Sequence, residues 1–91
     1  MSNDIPKGRI ATVSVSKAIS KDIETYICTN TENITLTVPP SSTGNVWAIS
    51  HMGSNLTSVT VQGAFLDFTS ITILRGETLV IQETGGILII K

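Results

Sequence analysis

Short β-branched runs, broken every few residues by turn formers, recur along the whole chain, and no apolar stretch keeps helical spacing beyond a turn or so. "ITLTV" (34–38) alternates strictly, with Ile34, Leu36 and Val38 on one face and Thr35 and Thr37 on the other. "VWAISHM" (46–52) sets Trp47, Ile49 and His51 against the smaller face of Val46, Ala48 and Ser50, which predicts that Trp47 and Ile49 pack inward. "LTSVTVQG" (56–63) alternates through Val59 and Val61. "TLVIQ" (78–82) and "ILIIK" (87–91) flank "ETGG", a hairpin signal because both glycines accept positive φ. "IATVSV" (10–15), "TYICT" (25–29) and "ITIL" (71–74) complete the strands. "SKAISKDIET" (16–25) has Ile19 and Ile23 four apart, but so short a helix is marginal and the segment reads as a loop or short edge strand. "AFLDFTS" (64–70), with Phe65 and Phe68, is expected to cover the open side of a sheet. The turn clusters "NTEN", "PPSSTGN", "GSN" and "RGE" recur at about the eight-to-twelve-residue spacing of all-β sandwiches and barrels. The pattern predicts one small antiparallel β-sandwich or barrel-like domain of about seven or eight short strands over 10–91, behind an extended arm over 1–9.

A chain of 91 residues makes one domain whose stability is thin without staples. Its single cysteine, Cys28, forms no internal disulfide, and with the single histidine, His51, it falls short of the four ligands of a structural zinc site. Oligomerisation is the staple that remains. Hydrophobic residues make up 41% of the chain but aromatics only 4%, so the core is built from Ile, Val and Leu. Both faces of "ILII" (87–90) are apolar, and such a strand needs cover on both. Either one of the pairs Ile87/Ile89 and Leu88/Ile90 faces a neighbouring chain, or the strand is central in a closed sandwich.

The net charge of -1 is unevenly spread. Lys7, Arg9, Lys17 and Lys21 face only Asp4 within 1–21, while Arg75 and Lys91 face six acids in the rest. The basic start reads first as a solvated tail, and second as a contact for an acidic neighbour. No basic patch interleaves with aromatics, which argues against nucleic acid. The longest apolar run, four residues, is far short of a membrane span, and "MSNDIPKGRI" lacks the apolar core of a signal peptide. The sequons at Asn33 and Asn55 read as chance matches in a Thr-rich chain.

No catalytic constellation stands out. Cys28 and His51 are the only thiol–imidazole candidates, and Cys28 sits mid-strand, where a small buried cysteine is ordinary. His51 reads as a rim or interface histidine. The acids outside the arm lie mostly in turns; Asp67, between Leu66 and Phe68, reads as a turn cap or salt-bridge partner. No Gly-rich phosphate loop is present, and no cofactor is expected.

The order "TYICTNTENITLTVPP", "VWAISHMGSN", "VTVQG", "LRGETLVI" and "GGILII" resembles the small β-rich domain of bacteriophage tail fibres, tail spikes and other virion appendages, over roughly residues 20–91. Ile87 stands where that pattern often has a tryptophan, and no shaft accompanies the module, which suggests a small free-standing virion component. The resemblance implies a non-enzymatic structural protein, a head-decoration, fibre or tail-appendage component, made in the host cytoplasm and located in the virion. It implies a homotrimer that buries an apolar strand at its three-fold axis, with Ile87, Leu88, Ile89 and Ile90 as interface candidates. On this structural reading the short basic arm attaches to a larger capsid or tail protein, with Ile5, Pro6, Lys7, Arg9 and Ile10 as attachment candidates. The alternative is a module that binds a host-surface glycan or protein through the loops "PPSSTGN" and "GSN" and the Phe65–Phe68 segment. Neither nucleic acid nor membrane insertion is expected.

Overall fold

Each alternating run forms a strand, because β-branched side chains suit a pleated surface with one buried face. The structure, a computed structural model, describes residues 9–39 and 44–91. Among these residues there is no helix, and there are nine strands: β1 (Ile10–Val13), β2 (Lys17–Ala18), β3 (Thr25–Cys28), β4 (Ile34–Thr37), β5 (Val46–His51), β6 (Ser58–Gln62), β7 (Ser70–Leu74), β8 (Thr78–Thr84) and β9 (Ile87–Ile90). The two-residue β2 is the short edge strand expected within 16–25. Gly85 and Gly86 take φ of 58° and 87° in the β8–β9 turn, the positive values that a tight primed hairpin turn requires.

The expectation of an antiparallel fold is corrected. The strands form two mixed sheets, ordered β1-β3-β5-β8-β9 and β2-β4-β6-β7. β1, β3 and β5 lie parallel, as do β2, β4 and β6. Only β7, β8 and β9 run antiparallel to their neighbours. The first six strands alternate between the sheets, so the chain winds as a coil. Ile10 lies beside Thr25 and Thr25 beside Ala48, which makes successive turns of 15 and 23 residues. A parallel pair needs a long crossover, and here the intervening strand of the other sheet supplies it in place of a helix. Parallel sheets are usually buried on both faces and read as continuous apolar runs. These keep one face in water, so their alternation looks the same as that of an antiparallel meander.

The inward rows of both sheets merge into one core cluster. In the five-stranded sheet, Ala11, Tyr26, Ile49 and Leu79 line up across four strands, and Trp47, Ile81 and Ile90 across three. In the four-stranded sheet, Ile34, Val59 and Ile73 form one inward row, and Leu36, Val61 and Ile71 another. Trp47 and Ile49 are fully buried, as their larger face predicted, and so is Tyr26. The Trp47 indole N–H donates to the Ser20 carbonyl at 3.0 Å, which meets its polar need inside the core. Phe65 is buried in the core cluster, and its backbone extends the edge of the five-stranded sheet: it bridges to Leu88, whose N–H donates to the Ala64 carbonyl at 2.8 Å. Phe68 stacks on Phe65 with centroids 5.0 Å apart and stays 41% exposed.

Candidate functional site

The register decides which side chains of the last strand meet the core. Leu88 stands opposite Glu83 and is buried, while Ile87 and Ile89 stand opposite Thr84 and Gln82 on the outward face. Ile90 stands opposite Ile81 on the inward face, but at the open end of an edge strand. Ile87, Ile89 and Ile90 are 40%, 44% and 44% exposed. Of the two pairs proposed from sequence, Leu88/Ile90 is therefore the inward one and Ile87/Ile89 the outward one. β9 is an edge strand and not the centre of its sheet.

The attachment candidates divide. Ile5, Pro6 and Lys7 lie outside the described residues. Arg9 and Ile10 are part of the sheet: the Arg9 carbonyl accepts from the Thr25 N–H at 3.0 Å, and Ile10 opens β1 beside Thr25. Of the three loop regions, "GSN" lies at the β5–β6 turn, Phe65 is buried, and "PPSSTGN" lies mostly outside the described residues.

Cys28 and His51 are brought together, but not as a catalytic pair. They are register partners on adjacent strands, both inward and fully buried. His51 is thus a core residue, which corrects the rim assignment. Its Nε2 faces the Thr57 carbonyl at 2.9 Å, so this nitrogen carries the proton, and its Nδ1 accepts from the Gly53 N–H at 3.1 Å. With both ring nitrogens engaged, neither is available to take a proton from the thiol. Burial also pushes the Cys28 thiol up to about 11, away from the thiolate that nucleophilic chemistry needs.

The same end of the core holds Asn30, which the sequence reading passed over. Its Nδ2 donates to the carbonyls of Glu32 at 2.6 Å and Ser58 at 3.3 Å and to the Thr57 hydroxyl at 3.2 Å. Those two carbonyls fix the amide orientation and leave Oδ1 buried without a partner among the described residues. The Thr57 hydroxyl donates to the Ser54 carbonyl at 2.7 Å. A chain of side chains from the β3–β4 connection, β5 and the β5–β6 loop thereby ties one end of the coil together.

Glu83 was expected in a turn and is instead in β8, with its side chain buried. Its Oε1 accepts from the Gly44 N–H at 2.8 Å and its Oε2 from the Gly86 N–H at 2.6 Å. One carboxylate therefore ties the approach to β5 to the β8–β9 hairpin. Asp67 is exposed in the β6–β7 connection. Among the described residues no three His, Cys, Asp or Glu side chains gather as a metal site. An open depression beside the start of β5 is lined by Lys21, Asp22, Asn45 and Val46 among others, without an aromatic ring.

No family model, curated protein or solved structure matches the chain.

Proposed function

We propose that this chain is a non-enzymatic structural component of a bacteriophage virion, a head-decoration, fibre or tail-appendage protein that works as a homotrimer and attaches to a larger capsid or tail protein. The observation that carries this reading is the split of β9, which commits Leu88 to the core and leaves Ile87 and Ile89 outside it. Exposed aliphatic side chains on a small protein without a disulfide gain from a neighbouring chain, at about 25 cal/mol per Å² of apolar surface removed from water. The resemblance of residues 20–91 to virion-appendage domains supplies the biological setting. The reading takes the two sheets as the layers of a β-sandwich, which the single shared core cluster supports. The inert surroundings of Cys28 and His51 support a structural role. In this account Arg9, at the edge of the five-stranded sheet, and Lys7 give the attachment region its basic character.

The host-receptor reading draws less support. Sugar sites favour exposed rings, and Trp47, Tyr26 and Phe65 are buried. Mass spectrometry of density-purified phage particles, taken from a culture that makes this chain, tests the proposal. The chain is expected in the particle band at a multiple of three per attachment site. Recovery only in the soluble host fraction contradicts it.

A further inference from the structure

Two sheet edges carry open backbone groups. At the β7 edge, the Gly63 N–H donates to the Thr69 carbonyl at 2.9 Å. Antiparallel bonding alternates along a strand, so Ile71 and Ile73 bond to β6 while the main-chain groups of Ser70 and Thr72 point away from it. Leu74, next in that series, is closed off. Its N–H donates to Glu77 Oε1 at 2.7 Å, and its carbonyl accepts from the Glu77 N–H at 3.0 Å. At the β1 edge, the Arg9 and Val13 carbonyls accept from the Thr25 and Thr29 N–H groups at 3.0 and 2.8 Å. Arg9, Ala11 and Val13 therefore face β3, and the main-chain groups of Ile10 and Thr12 point outward. Among the described residues nothing pairs with the outward groups of Ile10, Thr12, Ser70 and Thr72. The β7 edge also borders an uncovered core residue. β5 faces the start of β6 through His51 and the Thr57 carbonyl, and the turn 75–77 links β7 to β8. A strand added beside β7 therefore lies opposite β9, where Ile90 faces inward and is 44% exposed.

We propose that the β1 edge of one copy adds to the β7 edge of the next, parallel to it, so that the four-stranded sheet continues across the contact. The proposal rests on the trimeric reading above, names its contact, and moves Arg9 and Ile10 from the attachment region into it. Added-strand contacts take their affinity from the backbone and their choice of partner from the side chains. The open groups match: the Ile10 N–H meets the Ser70 carbonyl, the Thr72 N–H the Ile10 carbonyl, and the Thr12 N–H the Thr72 carbonyl. Parity decides the direction. In a parallel pair, a residue whose main chain points at the neighbour stands beside one whose main chain points away. Ile10 and Thr12 then share a face with Ile71 and Ile73, and Ile10, 61% exposed in its own chain, turns inward toward Ile90. The antiparallel direction would set Ile10 among Ser70 and Thr72 on the hydroxyl face. Charge points the same way. The parallel direction brings the exposed Arg9 to the start of β7, near the exposed Asp67, and keeps it from Arg75 at the other end. The antiparallel direction would set Arg9 beside Arg75. Because the two edges are different surfaces, the contact is head-to-tail, and such a contact builds a closed ring when its rotation divides the circle, as a trimer requires.

Amide exchange of the purified full-length chain, with light scattering for its mass, tests the contact. Ile10→Asp is expected to run as a folded monomer. The Thr12 and Thr72 amides are expected to exchange about tenfold or more slower in wild type than in that variant. Arg9→Asp and Asp67→Arg are each expected to raise the trimer dissociation constant about fivefold or more, and the two reversals together to recover most of that loss. Thr37→Lys, exposed on the hydroxyl face two strands from β7, is expected to keep the three-chain mass. Where Ile10→Asp does not fold, the charge reversals, made on exposed side chains, decide the matter. Protection of Thr72 without Thr12 overturns the choice of β1 as the added strand. If wild type is an oligomer whose Thr12 and Thr72 amides exchange freely, or the double reversal is no better than either single one, the edge contact falls while the self-assembly reading stands. If wild type is a monomer, both fall.

Discussion

Cys28 is held protonated by its surroundings, and that has a consequence at high pH. The thiol titrates near 9.0 when exposed and is pushed up to about 11 by burial in the fold. Between these values the unfolded chain has lost the proton and the folded chain keeps it. The thiol adds no net stability below pH 9, and stability falls as pH rises from about 9 to 11, by about 2 to 3 kcal/mol in all. Urea denaturation midpoints followed across that range in wild type and Cys28→Ala measure it, and the variant is expected to lack this part of the decline. Gly53 is a second sensitive position. A Cβ there would overlap the Asn30 carbonyl oxygen and would lie 2.7 Å from the Asn30 nitrogen and 2.8 Å from its Oδ1. Backbone atoms in the adjacent turn of the coil cannot move away independently, so Gly53→Ala is expected to cost about 2 to 3 kcal/mol in thermal or denaturant unfolding. At this scale the inward faces were legible. Trp47 and Ile49 follow from their strand's larger face, and Leu36 and Val59 from plain alternation. His51 and Glu83 were not, because sequence gives no sign of the backbone groups that satisfy a buried polar side chain. The partners of His51 lie in a loop, and those of Glu83 come from two separate turns.

Among the elements, β9 and the hairpin that carries it are the most exposed to single changes. Leu88→Asp places a carboxylate in the core and is expected to cost more than about 4 kcal/mol, which a domain of this size does not survive. Ile89→Asp, one residue on, is expected to change the unfolding free energy of the separated chain by less than about 1 kcal/mol. Denaturation of the two variants side by side reads the difference directly. Glu83→Ala removes the acceptor of both the Gly44 and Gly86 N–H groups. It is expected to cost about 2 to 4 kcal/mol and to speed amide exchange at Gly86 more than in β3. The hairpin itself was legible, because two adjacent glycines between apolar runs leave few alternatives. Strand direction was not. Whether β5 lies parallel or antiparallel to β3 depends on the path of the chain between them, and the unequal turns of 15 and 23 residues leave no repeat to mark a coil.

On the scale of the whole molecule, the coil gives β3, β4 and β5 two sequence-distant neighbours each, and the last three strands reverse to close one end. The outward face of the four-stranded sheet is mainly hydroxyl, while that of the five-stranded sheet mixes aliphatic and polar side chains with Lys91, whose Nζ donates to Gln82 Oε1 at 3.0 Å. The aliphatic stretch at the C-terminus was visible as a strand needing cover on two sides. The face it belongs to was not, since Ile10, Ile27, Val46 and Ile89 come from four separate segments that only the register assembles. Aliphatic side chains left exposed along β9, on a small protein whose single cysteine allows no internal disulfide, are the reason to expect self-association, and the resemblance to virion appendages makes three the expected number. Sedimentation equilibrium of the wild-type chain over a range of micromolar concentrations tests that most directly. A single species of three times the chain mass is the predicted result. A monomer that persists to the highest concentration would contradict the account.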